Sequence, residues 1–196
     1  MRIVLLGGPG SGKGTQASQL AAHFRVRHIG VGDLLRGFVA QSDCQSALRT
    51  RLDDGDLVDD ETVFGVVWPH VLAATEDGGY VLDGYPRTLS QAETAHVAAR
   101  RGYAFPDVVV YLHAPRAVLV DRLTSRTDHR SDDSIAVIAH RQSVFEHLTE
   151  PLVKFYEDRD LLVRCDATKP VDAVTADILT SIDARNRRSS VGGVGL

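Results

Sequence analysis

The sequence has little cysteine, no long apolar run and no excess of positive charge. Its 196 residues include two cysteines, Cys44 and Cys165, which are too few for a disulfide framework or a four-cysteine zinc site. The longest apolar runs, such as Val108–Leu112, have the length of a strand and are far too short to span a membrane. The formal net charge of -4 provides no positive field to attract a nucleic-acid backbone. We therefore expect two reduced thiols, no zinc, no membrane partner and no nucleic-acid partner.

The beginning of the chain and its composition indicate a cytoplasmic globular protein. Residues Met1–Leu6 are followed at once by glycines, which leaves no room for the apolar core and cleavage site of a signal peptide. Hydrophobic residues make up 43% of the chain and charged residues 24%, and these are ordinary values for a folded domain. A chain of this length suits one compact domain. We expect a single domain, a cytoplasmic location and a monomer.

Short apolar segments alternate with longer segments of helical period. The predicted strands are Arg2–Leu6, His28–Val31, Tyr80–Leu82, Val108–Leu112 and Leu162–Cys165. The predicted helices between them are Lys13–Phe24, Asp60–Leu72, Ser90–Arg101, Arg116–Ser125 and Val171–Asn186. Strands that are apolar throughout and separated by helices predict a parallel sheet covered on both faces. The fold class is therefore α/β, with a five-stranded parallel sheet flanked by helices.

Two further features concern the last third of the chain. A helix start at Asp132–Ser134 opens a long segment that reaches about Asp158, and Pro151 should kink or end the helix there. The residues Arg187–Leu196 are small, polar and glycine-rich, and we expect them to form a flexible tail.

A glycine-rich loop, Gly7–Thr15, lies between the first predicted strand and the first predicted helix. Glycines allow successive backbone amides to face one anion, and the helix N-terminus adds the positive end of its dipole. Lys13 supplies a positive charge for the β- and γ-phosphates of a nucleotide. Gly7, Gly12 and Lys13 meet the pattern G-x-x-x-x-G-K. The serine or threonine that usually follows the lysine is replaced by Gly14, and the hydroxyl residue, Thr15, comes one position later. The loop predicts a phosphate-binding site without identifying what accepts the phosphoryl group.

Two other interpretations of this loop are weaker. A glycine turn without a ligand would not need the strand, the lysine and the helix in this order. A dinucleotide-binding G-x-G-x-x-G pattern would require glycine at Lys13 or at Thr15, and neither is glycine. The two cysteines and the eight histidines, including His140 and His147 on one helical face, show no spacing typical of metal ligands.

Three further segments accompany the glycine loop. They are Gly30–Arg36, then Val81–Thr88 with Gln91 shortly after it, and the arginine-rich stretch Asp121–Arg141. Together with the loop they closely resemble the adenylate kinase family, over a length that runs from Met1 to about Asn186. The resemblance implies a P-loop kinase fold. It also implies an enzyme that transfers the terminal phosphoryl group of Mg-ATP reversibly to AMP and gives two ADP.

The resemblance also assigns roles to individual residues. The ATP-binding residues would be Gly10, Ser11, Gly12, Lys13, Gly14, Thr15, Arg122, Arg126 and Lys169. The AMP-binding residues would be Val31, Arg36, Asp56, Leu57, Val58, Gly84, Tyr85, Pro86, Arg87, Gln91, Arg130 and Arg141. Those implied in catalysis are Lys13, Arg87, Arg122, Arg130 and Arg141, while Asp83 would hold Mg²⁺ through water.

Physical chemistry supports these assignments independently of the resemblance. Phosphoryl transfer spreads negative charge over several oxygens, so positioning and cationic groups supply most of the catalysis. Planar guanidinium groups suit this task better than lysines. Asp83 ends a predicted buried strand, where a carboxylate is costly unless it serves a ligand. A single arginine such as Arg122 or Arg126 is as often a surface charge, and only its arginine neighbours favour a functional role.

The resemblance divides the chain into a core and two smaller parts. The core would comprise residues 1–29, 73–125 and 134–186, with a helical flap at 30–72 for the nucleoside monophosphate. The lid at 126–133 is short, since three residues separate Arg126 from Arg130 where long-lid relatives insert a whole domain. A short lid also lacks the zinc finger that some of those relatives carry.

Val31 departs from the pattern of the family. Adenylate kinases usually have threonine there, and pyrimidine-preferring relatives have a small apolar residue instead. Thr88 and Gln91 follow the adenylate pattern, so we expect AMP as the acceptor, with UMP or CMP as the alternative. A kinase of a small metabolite such as shikimate or gluconate would need the glycine loop alone. A nucleotide sensor that has lost turnover is the remaining alternative.

Overall fold

The computed structural model describes residues 1–41, 46–125 and 134–191. The strands in these ranges are β1 (Arg2–Gly7), β2 (Arg27–Gly30), β3 (Tyr80–Asp83), β4 (Val108–His113) and β5 (Leu162–Asp166). The helices are α1 (Lys13–Phe24), α2 (Val31–Ala40), α3 (Ser46–Asp54), α4 (Asp60–Glu76), α5 (Leu89–Gly102), α6 (Arg116–Thr124), α7 (Ile135–Val144), α8 (Leu152–Glu157) and α9 (Val171–Val191). A π-helical turn, Phe145–Thr149, joins α7 to the short connection before α8.

The strands form one parallel sheet in the order β2-β3-β1-β4-β5. The central strand β1 shows why both faces are covered. Ile3 and Leu5 face a core shared with α1 and α9, whereas Val4 and Leu6 face a second core shared with α4 and α8. Because alternate side chains of a strand point to opposite faces, a strand that is apolar throughout must be buried on both sides. The prediction of a five-stranded parallel sheet flanked by helices is confirmed.

Several predicted element boundaries are wrong, and one of them is the end of α4, which lies at Glu76 rather than at Leu72. Strand β2 ends at Gly30, and Val31 is the first residue of α2 rather than the last residue of the strand. Val31 is buried at the start of α2, and it would also be buried at the end of a strand, so its apolar character could not show to which element it belongs. At the other end, α9 continues to Val191 instead of ending at Asn186, so residues 187–191 of the predicted tail are helical. Glycine commonly follows the end of a helix. Within and after α9, the first glycine is at position 192, outside the described residues.

The long helical segment predicted to end near Asp158 is interrupted at the expected proline. Helix α7 begins at Ile135, and the hydroxyl of Ser134 accepts a hydrogen bond from the backbone nitrogen of Val137 at 3.2 Å. Pro151 immediately precedes α8. Since proline has no amide hydrogen and clashes with the preceding turn, it separates the two helices. In the described part of the chain, no helix has both the length and the apolar character needed to cross a membrane.

Candidate active site

The glycine loop joins β1 to α1 at the carboxyl edge of the sheet. Gly10 and Gly12 have φ angles of 84° and 85°, which L side chains rarely adopt, and a Cβ on Gly10 would collide with the backbone of Leu119. The Nζ atom of Lys13 donates to the carbonyl oxygens of Gly7 at 2.7 Å and Gly8 at 3.0 Å. The ammonium group of Lys13 therefore lies against the backbone of the glycine loop.

Ser11 adds an unusual feature to the loop. Its hydroxyl is buried, and its Oγ atom finds no hydrogen-bond partner among the described residues. The hydroxyl also lies where a Cβ on Gly7 would stand, only 2.6 Å from that position. Buried polar atoms normally have partners, and an exception calls for an explanation. An unpaired hydroxyl inside a glycine loop fits a loop built to receive a ligand.

One cavity of about 580 Å³ opens above this loop. It brings the loop together with groups that are distant in the sequence: Asp83 at the end of β3, Arg36 on α2, Arg87 before α5 and Arg141 on α7. The loop residues that line it are Pro9, Gly10, Gly12, Lys13, Gly14 and Thr15. Three of the arginines selected from the sequence therefore share one space with Lys13.

Asp83 lies beside the glycine loop because β3 and β1 are neighbours, with Asp83 paired to Leu5 in the parallel register. Its Oδ2 atom is 3.7 Å from the position that a Cβ on Gly14 would occupy. A carboxylate at this position is the kind of oxygen ligand that Mg²⁺ accepts, directly or through its retained waters. Among the described residues no cluster of three or more potential ligands could hold a metal by itself. The site fits an ion carried mainly by nucleotide phosphates.

Arg87 is the most enclosed of the three arginines. Its Nε atom donates to the carbonyl of Gly84 at 3.0 Å, and its own carbonyl accepts from the hydroxyl of Thr149 at 2.9 Å. Burial lowers the pKa of Arg87 from its ordinary value, and the positive charges of Arg141 and Arg36 lower it further, while the charge of Asp83 raises it. The three guanidinium groups thus repel one another across the cavity, and a bound phosphate would relieve that repulsion.

Arg36 and Arg141 reach the cavity from opposite sides. Arg36 forms an ion pair of 2.6 Å with Asp33, three residues earlier on α2, and its side chain is about half exposed. The stem of Arg141 packs on Gly55, where an added Cβ would stand 2.5 Å from its Cγ atom. Close packing on a residue that has no side chain holds Arg141 against the loop after α3.

A second cavity, of about 60 Å³, adjoins the first on the side of α2 and α4. Most of the residues predicted to bind AMP line it: Val31, Arg36, Asp56, Leu57, Val58, Gly84, Arg87, Gln91 and Arg141. Pro86 lines a neighbouring cavity together with Lys13 and Arg141. Tyr85 lies elsewhere, since its side chain is 1% exposed in the core and its hydroxyl donates to the carbonyl of Gln91 at 3.2 Å.

Arg122 has its polar contacts at the loop after β5, and Lys169 lies in that loop. Arg122 donates to the carbonyl oxygens of Ala167 at 2.7 Å and Thr168 at 3.2 Å. Lys169 forms an ion pair of 2.6 Å with Asp177, and this hydrogen bond raises the pKa of Lys169. The two residues are therefore close to the same loop, the one predicted to lie beside the adenine of ATP. Two further predicted residues, Arg126 and Arg130, lie outside the described residues.

Three residues that sequence reasoning did not select also contact the site. Gln142 is 1% exposed and donates from Nε2 to the carbonyl of Pro9 at 2.8 Å, which ties α7 to the glycine loop. The Nε2 atom of His140 lies 2.7 Å from a carboxylate oxygen of Asp56, so this histidine joins α7 to the loop after α3. Asp60 accepts a hydrogen bond from Gln91. Of these three residues, only Gln142 could have been suspected from the sequence, because it is a polar residue next to Arg141 in a predicted helix.

The fold and the cavity together define a class of protein. A glycine loop between a parallel strand and a helix, with a lysine at the helix start, binds the phosphates of a nucleoside triphosphate. Guanidinium groups that face the same loop supply the charges on which phosphoryl transfer depends. These features are those of a P-loop phosphotransferase.

Comparison with known proteins identifies the family within this class. The sequence model of the adenylate kinase family matches residues 5–161. An adenylate kinase of Thermobifida fusca is 39% identical over 189 residues, which cover 94% of this chain and 100% of the relative. Adenylate kinases of Stenotrophomonas maltophilia and Trichodesmium erythraeum are 38% and 37% identical, with 93% of this chain covered and 99% and 98% of the relatives. The chain belongs to the adenylate kinase family, and it is a nucleoside monophosphate phosphotransferase.

Proposed function

We propose that the protein transfers the terminal phosphoryl group of ATP to AMP, reversibly, and so interconverts one ATP and one AMP with two ADP. The observation that carries this proposal is the shared cavity in which Lys13 and the glycine loop face Arg36, Arg87 and Arg141. Shikimate and gluconate each carry only one carboxylate charge, whereas three guanidinium groups opposite the loop match the greater charge of a phosphate on the acceptor. The relatives described above also carry the name adenylate kinase, which favours AMP over a pyrimidine acceptor.

On the donor side, the backbone amides of Gly10–Thr15 would hold the phosphates of ATP, and Lys13 would leave its carbonyl partners to follow the transferred phosphoryl group. Arg122 and Arg126 would contact ATP, with Arg122 acting in catalysis, and Lys169 would lie beside the adenine of ATP. Asp83 would hold Mg²⁺ through water, and the ion, when bound, neutralises charge on the ATP phosphates.

On the acceptor side, Arg36 and Arg87 would bind the phosphate of AMP. Gln91 would contact its base, and the backbone at 56–58 and 84–86 would complete the pocket. Arg141, together with Arg130, would bridge the two nucleotides. Because these cations act on charge that is shared between donor and acceptor, they would stabilise the transition state more than either bound substrate.

We propose further that residues 30–72 move as a flap and residues 126–133 as a short lid over the core. In the fold, α2, α3 and the start of α4 form the part of the molecule that carries Arg36 and Asp56. Closure of both parts would exclude water, which would otherwise accept the phosphoryl group. The protein would act as a cytoplasmic monomer, and size-exclusion chromatography with light scattering tests the monomeric state.

A coupled assay with ATP and each of AMP, UMP, CMP, GMP and dTMP tests the substrate. The expected result is the highest kcat/KM with AMP. A preference for a pyrimidine monophosphate by about tenfold or more would contradict the proposal. Phosphorylation of a small alcohol such as shikimate or gluconate without activity on any monophosphate would support the metabolite kinase instead. Binding of both nucleotides without transfer would indicate a sensor.

A further inference from the structure

Gln91 is held at four points, more than its expected role in base contact requires. Its backbone nitrogen donates to the hydroxyl of Thr88 at 3.1 Å, and its carbonyl accepts from the hydroxyl of Tyr85. Its side-chain Oε1 accepts from the backbone nitrogen of Arg87 at 2.7 Å. Its side-chain Nε2 donates to Oδ1 of Asp60 at 2.8 Å. A residue that is 3% exposed and tied in this way has one position and one side-chain orientation.

The two side-chain bonds determine which end of the amide is oxygen and which is nitrogen. The backbone N–H of Arg87 can only donate, and the carboxylate of Asp60 can only accept. If the amide of Gln91 turned over, its NH₂ would face the N–H group and its oxygen would face the carboxylate. Both hydrogen bonds would be lost and replaced by repulsion, which is costly at a buried position. Of the two partners, only Asp60 is a side chain that can be substituted.

Asp60 brings its negative charge into this region from a different element. It is the first residue of α4, whereas Gln91 lies on α5. Burial raises the pKa of the Tyr85 hydroxyl, and the charge of Asp60 raises it further, so the carboxylate acts on the buried groups around Gln91. Gln91 also lines the cavity of the acceptor, so its remaining N–H and its remaining oxygen lone pair are what it offers to a base there.

Nucleotide bases present two opposite patterns to such an amide. Adenine and cytosine carry an amino donor beside a ring-nitrogen acceptor, whereas hypoxanthine and uracil carry a carbonyl acceptor beside a ring N–H donor. Under the proposed function, Arg36 and Arg87 bind the phosphate and thereby determine which atom of the base meets which atom of the amide. An amide of fixed orientation then suits one pattern and leaves unpaired polar groups with the other.

We infer that Asp60 is a positioning residue for base selection, because its hydrogen bond fixes the orientation with which the Gln91 amide meets an amino-bearing base. This inference rests on the proposed function. It adds that the acceptor class comprises bases with an amino group beside a ring-nitrogen acceptor. AMP is then preferred to IMP, and among pyrimidines CMP is preferred to UMP.

Steady-state kinetics with AMP and with IMP, at saturating ATP, test the inference in wild-type protein, Asp60→Ala, Asp60→Asn and Glu61→Ala. The ratio of kcat/KM for AMP to that for IMP should fall by about fivefold or more in Asp60→Ala. Asp60→Asn keeps an oxygen that can accept from Gln91 and should retain the wild-type ratio. Glu61 is an exposed acid in the same helical turn, so Glu61→Ala is the matched control and should leave the ratio unchanged.

The ratio is independent of how much of each preparation is active, so partial unfolding does not imitate the expected result. A fall of less than about fivefold in Asp60→Ala, or an equal fall in Glu61→Ala, would overturn the inference. Wild-type protein provides a test without any substitution, because UMP used as well as CMP would also overturn it. If wild-type protein does not phosphorylate AMP at all, the proposed function is wrong. If it does and the ratios do not change, only the role of Asp60 is wrong.

Discussion

At the scale of single residues, positive charge is concentrated where the proposed phosphates would lie. Burial and the neighbouring cations Arg141 and Arg36 lower the pKa of Arg87, with Asp83 as the opposing charge. Like charges at short range raise the free energy of the empty site, and an anion that binds among them removes that cost. Lys13 belongs to the glycine loop itself, and its ammonium group donates to the backbone carbonyl oxygens of Gly7 and Gly8. It can exchange those partners for phosphate oxygens without a change in the fold.

The variant Lys13→Met tests the lysine. We expect kcat to fall by about a hundredfold or more with the fold intact, because the lysine acts on charge that develops during transfer. Steady-state kinetics and circular dichroism measure the two effects. Lys154→Met is the control, since the side chain of Lys154 is 80% exposed on α8 and should leave kcat unchanged. Unchanged turnover in Lys13→Met would contradict the assignment of the loop.

Gly55→Ala tests the contact between Arg141 and the loop after α3. The φ angle of Gly55 is 81°, and a Cβ there would stand 2.5 Å from Cγ of Arg141. We expect the displaced arginine to lower kcat/KM for AMP by about tenfold or more. Gly37→Ala is the control within the same flap, since a Cβ on this helical glycine meets nothing within 4 Å. Equal kinetics in the two variants would show that the position of Arg141 does not matter.

At the scale of elements, α4 begins with a cap that depends on a charge. The carboxylate of Asp59 accepts a hydrogen bond from the backbone nitrogen of Thr62 at 2.8 Å. Hydrogen bonds from Thr62 lower the pKa of Asp59 below its ordinary value of 3.8. A carboxyl group whose pKa is lower in the folded state stabilises that state above the unfolded pKa. The stabilisation is lost as the pH falls through the folded value.

Asp59→Ala should therefore lower the free energy of unfolding by about 1 kcal/mol at neutral pH. The difference from wild type should shrink as the pH is lowered below 3.8 towards the folded pKa, because the wild-type carboxyl group is then protonated too. Urea denaturation at a series of pH values measures both effects. Asp59→Asn keeps a capping oxygen that does not titrate, and its stability should not show this pH dependence relative to Asp59→Ala. A difference that persists undiminished in acid would contradict the cap.

Helix α7 connects the two halves of the site. Gln142 donates to the glycine loop at Pro9, while His140 contacts Asp56 and Arg141 packs on Gly55. Three successive residues of one helix thus contact both the proposed ATP loop and the proposed flap. A displacement of α7 would change both at once, which gives the helix a structural means of linking donor and acceptor sites.

At the scale of the whole molecule, the features that the sequence predicted depend on local patterns. The glycine loop, the helix α1 and the strand β1 each follow from a continuous segment, and the parallel sheet follows from their alternation. The contacts of Gln142 with Pro9 and of Gln91 with Asp60 join residues 133 and 31 positions apart. No local pattern indicates such pairs, because only the folded chain brings them together. Val31 was placed in the wrong element for a related reason, since burial is common to strand ends and helix starts.

The central claim is that one chain of phosphates, shared by two nucleotides, lies between the glycine loop and the guanidinium groups. A crystal structure with a bisubstrate dinucleotide, two adenosines joined through a phosphate chain, tests it most directly. We predict that Lys13, Arg36, Arg87 and Arg141 all contact the same phosphate chain, with one adenine beside Gln91 and the other beside the loop after β5. Phosphates bound at the glycine loop while Arg36, Arg87 and Arg141 point away from them would contradict the account.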